Sequence, residues 1–105
     1  MTRHCLPGKT LILVILALFL GILSSCAARG EKLFEEEGCL HCHSFKGKGG
    51  RMAPDLTAVT GRRDDAWIRH QIRDSKQNDP RSRMPSFAHL SEFDIRSIVN
   101  YLKKP

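Results

Sequence analysis

The sequence predicts an all-α fold for residues 30–105, with about three main helices and two long loops that surround a common centre. Three observations indicate this fold. Apolar residues recur at helical spacing near the C-terminus, and glycines and prolines divide the middle of the chain into two turn-rich segments. In addition, two cysteines and a histidine stand close together at residues 39–43. A chain of 105 residues with these features is expected to form one domain.

The N-terminal segment is apolar and differs from the rest of the chain. Arg3, His4 and Lys9 precede an apolar run over residues 11–23. As a helix those residues would cover about 20 Å, which is less than the roughly 30 Å of a membrane's hydrocarbon core. We therefore expect residues 1–25 to be a secretory signal peptide, which places the domain outside the cytoplasm.

The end of this run resembles the processing site of bacterial lipoproteins. A leucine stands three positions before Cys26, and two serines fill the gap between them. The resemblance implies cleavage before Cys26 and acylation of that cysteine, with residues 26–29 as a short tether to the membrane. Two alternatives stay open: an ordinary cleaved signal peptide, which would give a soluble periplasmic domain, and an uncleaved anchor.

Cysteine use and charge narrow the functional classes. Cys5 lies in the segment expected to be removed, Cys26 is the lipidation candidate, and the other two belong to the cluster at residues 39–43, so none is left for a structural disulfide. Loss of Arg3 and Lys9 would leave 15 basic against 11 acidic residues, a formal charge of +4. That charge is too low to suggest a nucleic-acid partner. So small a domain without disulfides needs another source of stability, such as a large cofactor in its core.

Three stretches have the pattern of helices. The first covers about residues 29–37 and ends at Gly38. The second covers about residues 64–74, with Asp64 or Asp65 as its N-cap. The third covers about residues 92–103, where Ser91 and Asp94 form a variant of the capping box. Its apolar residues fall at i, i+3, i+4 and i+7: Ile95, Ile98, Val99 and Leu102.

Two long segments, about residues 44–63 and 75–90, separate the helices. Glycines and prolines punctuate both of them, and no helical or strand periodicity is evident in either. Loops of this length without secondary structure are uncommon in compact domains unless they carry a function. Loops that wrap the two faces of a cofactor would account for them.

Residues 39–43 have the pattern Cys-x-x-Cys-His, which is typical of covalent attachment of a c-type haem. The thiols of Cys39 and Cys42 can each add to one vinyl group of the same porphyrin. His43 then lies where its imidazole can bind the iron from one face. The motif predicts one haem c per chain.

The alternative is a zinc site, which two cysteines at this spacing with nearby histidines also suit. Such a site would need a second pair of cysteines or histidines at ligand spacing. The remaining downstream histidines, His70 and His89, are isolated from each other. Haem is therefore favoured over zinc.

The order of motifs along the mature chain resembles a class I monohaem cytochrome c. The haem motif lies near the start, Pro-Asp-Leu follows in the first loop, Met-Pro in the second, and a helix ends the chain; the resemblance covers residues 30–102. It implies the cytochrome c fold. In that fold Gly30 and Phe34 of the first helix would pack against Ile98 and Tyr101 of the last.

The resemblance also implies the residues that hold the haem. His43 would be the proximal iron ligand, and the carbonyl of Pro54 would accept a hydrogen bond from its other ring nitrogen. Met84, which precedes a proline, would be the distal iron ligand; a thioether there favours ferrous iron and raises the potential. Trp67 would either offer its N–H to a haem propionate or only pack beside the haem.

Three other residues are rival distal ligands. Met52 is close to the haem motif in sequence, so we expect it to belong to the proximal loop. Methionines are also more often core residues than ligands. His70 and His89 are expected on the surface.

A domain of this kind is expected to transfer electrons rather than to catalyse a reaction. The first hypothesis is a monomeric, membrane-tethered carrier between a quinol-oxidising complex and a terminal oxidase or reductase. The alternative is a haem c subunit that feeds electrons into a larger respiratory oxidase or reductase complex, because the sequences around Leu56, Trp67 and Met84 resemble cytochrome domains attached to respiratory oxidases. A dihaem peroxidase would need a second Cys-x-x-Cys-His motif, which the chain lacks.

Overall fold

A computed structural model describes the backbone of residues 8–105 and the side chains of residues 8–21 and 28–105. The chain forms helix α1 (Gly8–Glu36), a 3-10 turn (Cys39–His41), strands β1 (Ser44–Phe45) and β2 (Lys48–Gly49), helices α2 (Val59–Arg62) and α3 (Asp65–Arg73), a second 3-10 turn (Ser75–Gln77) and helix α4 (Glu92–Leu102). The fold is mostly helical, and the predicted all-α class is confirmed.

Helix α1 is much longer than predicted, because it begins at Gly8 rather than near Arg29. The apolar run of residues 11–23 is rich in leucine and contains no proline, so the helix continues from it into the domain. Within the described part of the chain, no helix is both long and apolar enough to span a membrane. The side chain of Cys26 lies outside the described residues, and cleavage and acylation there stay predictions.

Helices α3 and α4 begin at the predicted caps. The Asp64 carboxylate accepts the backbone N–H of Trp67 at 2.8 Å, and the Ser91 hydroxyl oxygen accepts the N–H of Asp94 at 3.1 Å. The Asp94 carboxylate accepts from the Ser91 hydroxyl and from Arg29 of α1. The predicted capping-box variant is thus present in part, since the Ser91 hydroxyl accepts the N–H of Asp94, while the Asp94 carboxylate bonds side chains of Ser91 and Arg29.

Helices α1 and α4 cross at Gly30, where a Cβ atom would lie only 2.0 Å from the carbonyl oxygen of Ser97. Glycine is therefore needed for the helices to approach this closely. The rings of Phe34 and Tyr101 lie 5.4 Å apart between centroids, and Phe34 and Ile98 are buried in the same core. The packing expected between the first and last helices is confirmed.

The first loop contains more structure than predicted, since it holds β1, β2 and α2. Strands β1 and β2 pair antiparallel, with Ser44 opposite Gly49. The two residues between them, Lys46 and Gly47, have φ angles of 49° and 79°. Positive φ at both positions gives the twist that a two-residue hairpin needs. Lysine is an unusual first residue for such a turn, so the local sequence signal was weak.

Candidate haem-binding site

A cavity of about 300 Å³ lies between α3, α4, the end of α1 and the two loops. Its apolar wall includes side chains from all three main helices: Phe34, Ile68, Ile72, Ile98 and Leu102. Most of the residues that the sequence singled out also line it: Cys39, His43, Pro54, Trp67 and Met84. The fold thus brings together these five positions, which are up to 45 residues apart in the sequence.

The haem motif forms one compact turn at the end of α1. Gly38 ends the helix with a φ of 72°, which glycine adopts without strain. The backbone N–H of His43 then donates to the carbonyl of Cys39 at 3.0 Å. Burial, with a smaller contribution from the carboxylate of Glu37, raises the pKa of the Cys39 thiol to about 11. Cys39 faces the cavity, whereas Cys42 is half-buried outside its lining.

The imidazole of His43 is oriented by the first loop. Its Nδ1 lies 2.7 Å from the carbonyl oxygen of Pro54. Because a carbonyl only accepts, Nδ1 carries a proton, and in a neutral imidazole this leaves the lone pair on Nε2. A backbone carbonyl in this position is the usual partner of a metal-binding histidine. The geometry therefore suits iron binding through Nε2.

Two consecutive glycines support this proximal side. The N–H of Gly50 donates to the carbonyls of Leu40 and His43, at 2.8 and 3.1 Å. Gly49 has a φ of 105°, and a Cβ atom there would lie 2.3 Å from the carbonyl oxygen of His43. The sequence marked these glycines only as loop residues. Their position as an adjacent pair just after the motif was the available signal for close backbone approach.

Met84 also lines the cavity and is held there at three points. Its backbone N–H donates to the Ser82 hydroxyl at 3.3 Å, and its carbonyl accepts from the buried Ser75 hydroxyl at 3.0 Å. Its Sδ accepts from Gln71 Nε2 at 3.8 Å. Sequence reasoning missed Gln71 and Ser75. Gln71 lies four residues after Trp67 on α3, so helical spacing placed it on the same face.

The second loop is attached to the end of α3 as well. The N–H of Phe87 donates to the carbonyl of Ile72 at 3.1 Å, and the Ser86 hydroxyl donates to the carbonyl of Arg73 at 2.7 Å. These carbonyls belong to the last turn of the helix, where intrahelical partners are lacking. The loop therefore caps α3 while it presents Met84 to the cavity.

The rival ligands lie away from the cavity. Met52 is 81% exposed, and His70 is exposed on α3. His89 is also exposed, and its Nε2 lies 3.0 Å from a carboxylate oxygen of Glu37. None of the three lines the cavity. In the part of the chain that the structure describes, no group of three or more His, Cys, Asp or Glu residues is arranged to hold a metal ion.

Polar groups collect at one edge of the cavity. The guanidinium of Arg63 stacks on Trp67 at 4.5 Å from the ring centroid, and Arg62 donates to the carbonyl of Asp55 at 2.9 Å. Hydrogen bonds from Ser44 and Thr57 hold the pKa of the Asp55 carboxyl below its usual range. All of these groups except Ser44 and Thr57 line the cavity. Trp67 is half-buried there, and its contact with a propionate stays a prediction.

The donor set fits a haem. An imidazole with a free Nε2, a thioether and a thiol face one largely apolar cavity, and a second thiol lies three positions from the first. Apolar walls suit the porphyrin faces, and the two arginines at the edge suit its carboxylates.

Curated relatives of the chain are named as subunits of nitric oxide reductase and of cytochrome c oxidase. The chain is 30% identical over 90 residues to a nitric oxide reductase subunit of Stutzerimonas stutzeri, covering 77% of this chain and 59% of that protein. It is 27% identical over 93 residues to the equivalent protein of Halomonas halodenitrificans, with the same two coverages. It is 28% identical over 85 residues to cytochrome c oxidase subunit 2 of Alkalihalophilus pseudofirmus, covering 73% of this chain and 25% of that protein.

The chain thus spans between a quarter and three fifths of the length of these relatives. A family model, described as Cytochrome c, matches residues 27–104, which is the whole of the predicted mature domain apart from its ends. The match agrees with the Cys-x-x-Cys-His motif, the helical fold and the cavity. It implies covalently bound haem c and supports haem-based electron transfer. The chain belongs to the cytochrome c family.

Proposed function

We propose that this protein transfers single electrons through one haem c, attached at Cys39 and Cys42, with His43 and Met84 as the axial ligands. The observation that carries the proposal is that the His43 imidazole and the Met84 side chain line the same cavity, each held by its own loop. When bound, the haem supplies a one-electron iron couple. The chain supplies the ligands, the apolar walls and the polar edge.

Each loop has a defined task in this proposal. The carbonyl of Pro54 holds the His43 ring in one orientation and leaves Nε2 for the iron. A Met84 thioether bound to the iron would favour the ferrous state and leave no open position for oxygen, which suits electron transfer. The apolar side chains of α3 and α4 exclude water from the site and so also favour the reduced, less charged state.

The ligand assignment is tested by paired methionine variants of the holoprotein. Wild type should be low-spin and six-coordinate. Met84→Ala should lower the reduction potential and let exogenous imidazole bind the iron. Met52→Ala, which removes an exposed side chain, should leave both properties at their wild-type values. A Met84→Ala variant with the spectrum of wild type would contradict the assignment.

The membrane setting is the second part of the proposal. The leucine and serines before Cys26 favour a lipid tether at that residue, which would make the protein a membrane-bound extracytoplasmic carrier between a quinol-oxidising complex and a terminal oxidase or reductase. Cys26→Ser should then move the protein from the membrane pellet to the soluble extracytoplasmic fraction. Unchanged pelleting of this variant would instead support an uncleaved anchor.

A second candidate function is electron input within a larger complex. The relatives favour it, since two are named as parts of nitric oxide reductase and one as part of cytochrome c oxidase. Purification from native membranes distinguishes the two functions. Stable co-purification with a catalytic partner protein, and slow exchange with soluble donors, would support the role within a complex. A monomer that exchanges electrons rapidly with soluble donors would support the carrier.

A further inference from the structure

We infer that Gln71 is a positioning residue for the Met84 thioether, and that Asn78 sets the orientation of Gln71. The inference rests on the proposed iron ligation by Met84. It assigns a role to two amide side chains that carry no motif signal. Both are half-buried, and Gln71 lines the cavity beside Met84.

The side-chain amide of Gln71 contacts the sulfur of Met84. Gln71 Nε2 lies 3.8 Å from Met84 Sδ, within hydrogen-bonding range for sulfur. A thioether sulfur only accepts, so the amide must present its N–H to form this bond. An amide that presented its oxygen instead would place two acceptors against each other. The orientation of the Gln71 amide therefore decides whether the contact is attractive.

Asn78 provides that orientation. Its Nδ2 lies 3.3 Å from the backbone carbonyl oxygen of Trp67 and 3.0 Å from Gln71 Oε1. The carbonyl of Trp67 can only accept, which identifies this end of Asn78 as its NH₂ group. The same NH₂ group has a second hydrogen, which Gln71 Oε1 accepts. With its oxygen engaged by Asn78, the Gln71 amide turns its NH₂ toward Met84.

The chain of bonds thus runs from a fixed backbone atom of α3 to the proposed ligand. Trp67 and Gln71 are one turn apart on α3, and Asn78 follows directly after the second 3-10 turn, Ser75–Gln77. The N–H of Asn78 donates to the carbonyl of Ser75 at 3.1 Å, and the Ser75 hydroxyl donates to the carbonyl of Met84. Residues 75–78 therefore bond the backbone of Met84 directly, through Ser75, and act on its sulfur indirectly, through Asn78 and Gln71.

The hydrogen bond from Gln71 to Met84 should raise the reduction potential of the iron. Donation of a hydrogen bond to the thioether withdraws electron density from the sulfur and weakens its stabilisation of the more highly charged ferric state. Loss of the bond should therefore lower the reduction potential. A change in packing alone would act in the opposite direction, because an apolar group in place of an amide beside the iron disfavours the ferric charge. The sign of the shift separates the two roles.

The test compares Gln71→Leu, Asn78→Leu and the double variant with wild-type holoprotein. Leucine matches the bulk of both amides and has no donor. Gln77→Leu is the matched control, since Gln77 is exposed and its amide contacts Asp74. The readouts are the reduction potential and the affinity of ferric protein for exogenous imidazole, which competes with Met84. If Gln71→Leu does not accumulate as holoprotein, the reduction potential is measured on Gln71→Ala.

Gln71→Leu should lower the reduction potential. It should also raise the affinity of the ferric protein for imidazole by about threefold to tenfold, which is the size of one lost hydrogen bond. Asn78→Leu should change both in the same direction by less, and the double variant should equal Gln71→Leu rather than the sum of the two. Wild-type values in Gln71→Leu, or a raised potential, would overturn the role of Gln71, and additive effects would overturn that of Asn78. If Met84→Ala keeps a wild-type spectrum, the proposed ligation has failed instead.

Discussion

The two loops that face the cavity are built in different ways. The proximal segment, residues 38–57, is held mainly by its own backbone. The N–H of Gly50 bonds two carbonyls, the N–H of Ala53 donates to Cys42 and that of Leu56 donates to Ser44. At Gly49 the backbone approaches His43 too closely for any side chain.

The distal segment, residues 74–90, is held mainly by side chains. Hydroxyl groups of Ser75, Ser82 and Ser86 bond backbone atoms of Met84 and of α3. An amide of α3 reaches the sulfur itself. The proximal segment is rigid, because a substitution at a close backbone contact displaces the main chain. In the distal segment a single side-chain hydrogen bond can be removed without moving the main chain. The environment of Met84 can therefore be changed by substitution more easily than that of His43.

The largest effect is expected from a substitution in the proximal segment, which should reduce the amount of holoprotein. Gly49→Val would place a branched side chain against the carbonyl of His43 at a φ of 105°, and should cost more than the about 1–2 kcal/mol of a left-handed conformation alone. We expect little holoprotein to accumulate, measured as covalent haem per protein. Gly61→Ala is the control, since a Cβ atom there meets nothing within 4 Å. Normal haem content in Gly49→Val would contradict the rigid proximal design.

An intermediate effect is expected on the distal side. Ser75→Ala removes the buried hydroxyl that donates to the carbonyl of Met84 and should lower the free energy of unfolding by about 1 kcal/mol. It should keep covalent haem but bind imidazole several-fold more tightly. Ser44→Ala, which removes the proximal hydroxyl bonded to Asp55, should leave imidazole binding unchanged. Equal imidazole affinities in the two variants would remove the contrast between the loops.

The smallest effect is expected at Asp94 of α4, which belongs to neither loop and should change only the pH dependence of stability. Hydrogen bonds from Ser91 and Arg29 hold the pKa of Asp94 below its ordinary value of 3.8. Because the folded-state pKa is the lower one, ionised Asp94 stabilises the fold above pH 3.8, and this contribution is lost as the pH falls through the folded-state value. Acid unfolding followed by circular dichroism should show a weaker pH dependence below that point in Asp94→Asn. The same pH dependence as wild type would contradict the role of Asp94.

The predictable features were those with local signals. Residue periodicity and N-cap residues located α3 and α4, and the motif order located the cavity residues, including Met84. The hairpin at Lys46 and Gly47 was missed because lysine seldom begins such a turn. Helix α2 was missed because Gly61 lowers helix propensity.

The supports of the distal ligand could not be predicted for another reason. Gln71, Ser75 and Asn78 act through contacts between a helix and a loop, and no sequence spacing specifies which amide or hydroxyl meets which atom. The extent of α1 was underestimated because the first helix was expected to begin after the apolar segment. Its backbone is continuous across that boundary.

The axial ligation is tested most directly by the near-infrared spectrum of the ferric holoprotein, because the energy of the haem charge-transfer band depends on the ligands and a thioether gives it a characteristic position. We expect this band in wild type and in Met52→Ala, and its loss in Met84→Ala. A wild-type spectrum of bis-histidine or high-spin haem would contradict the central claim, which is that the two differently built loops deliver His43 and Met84 to one iron.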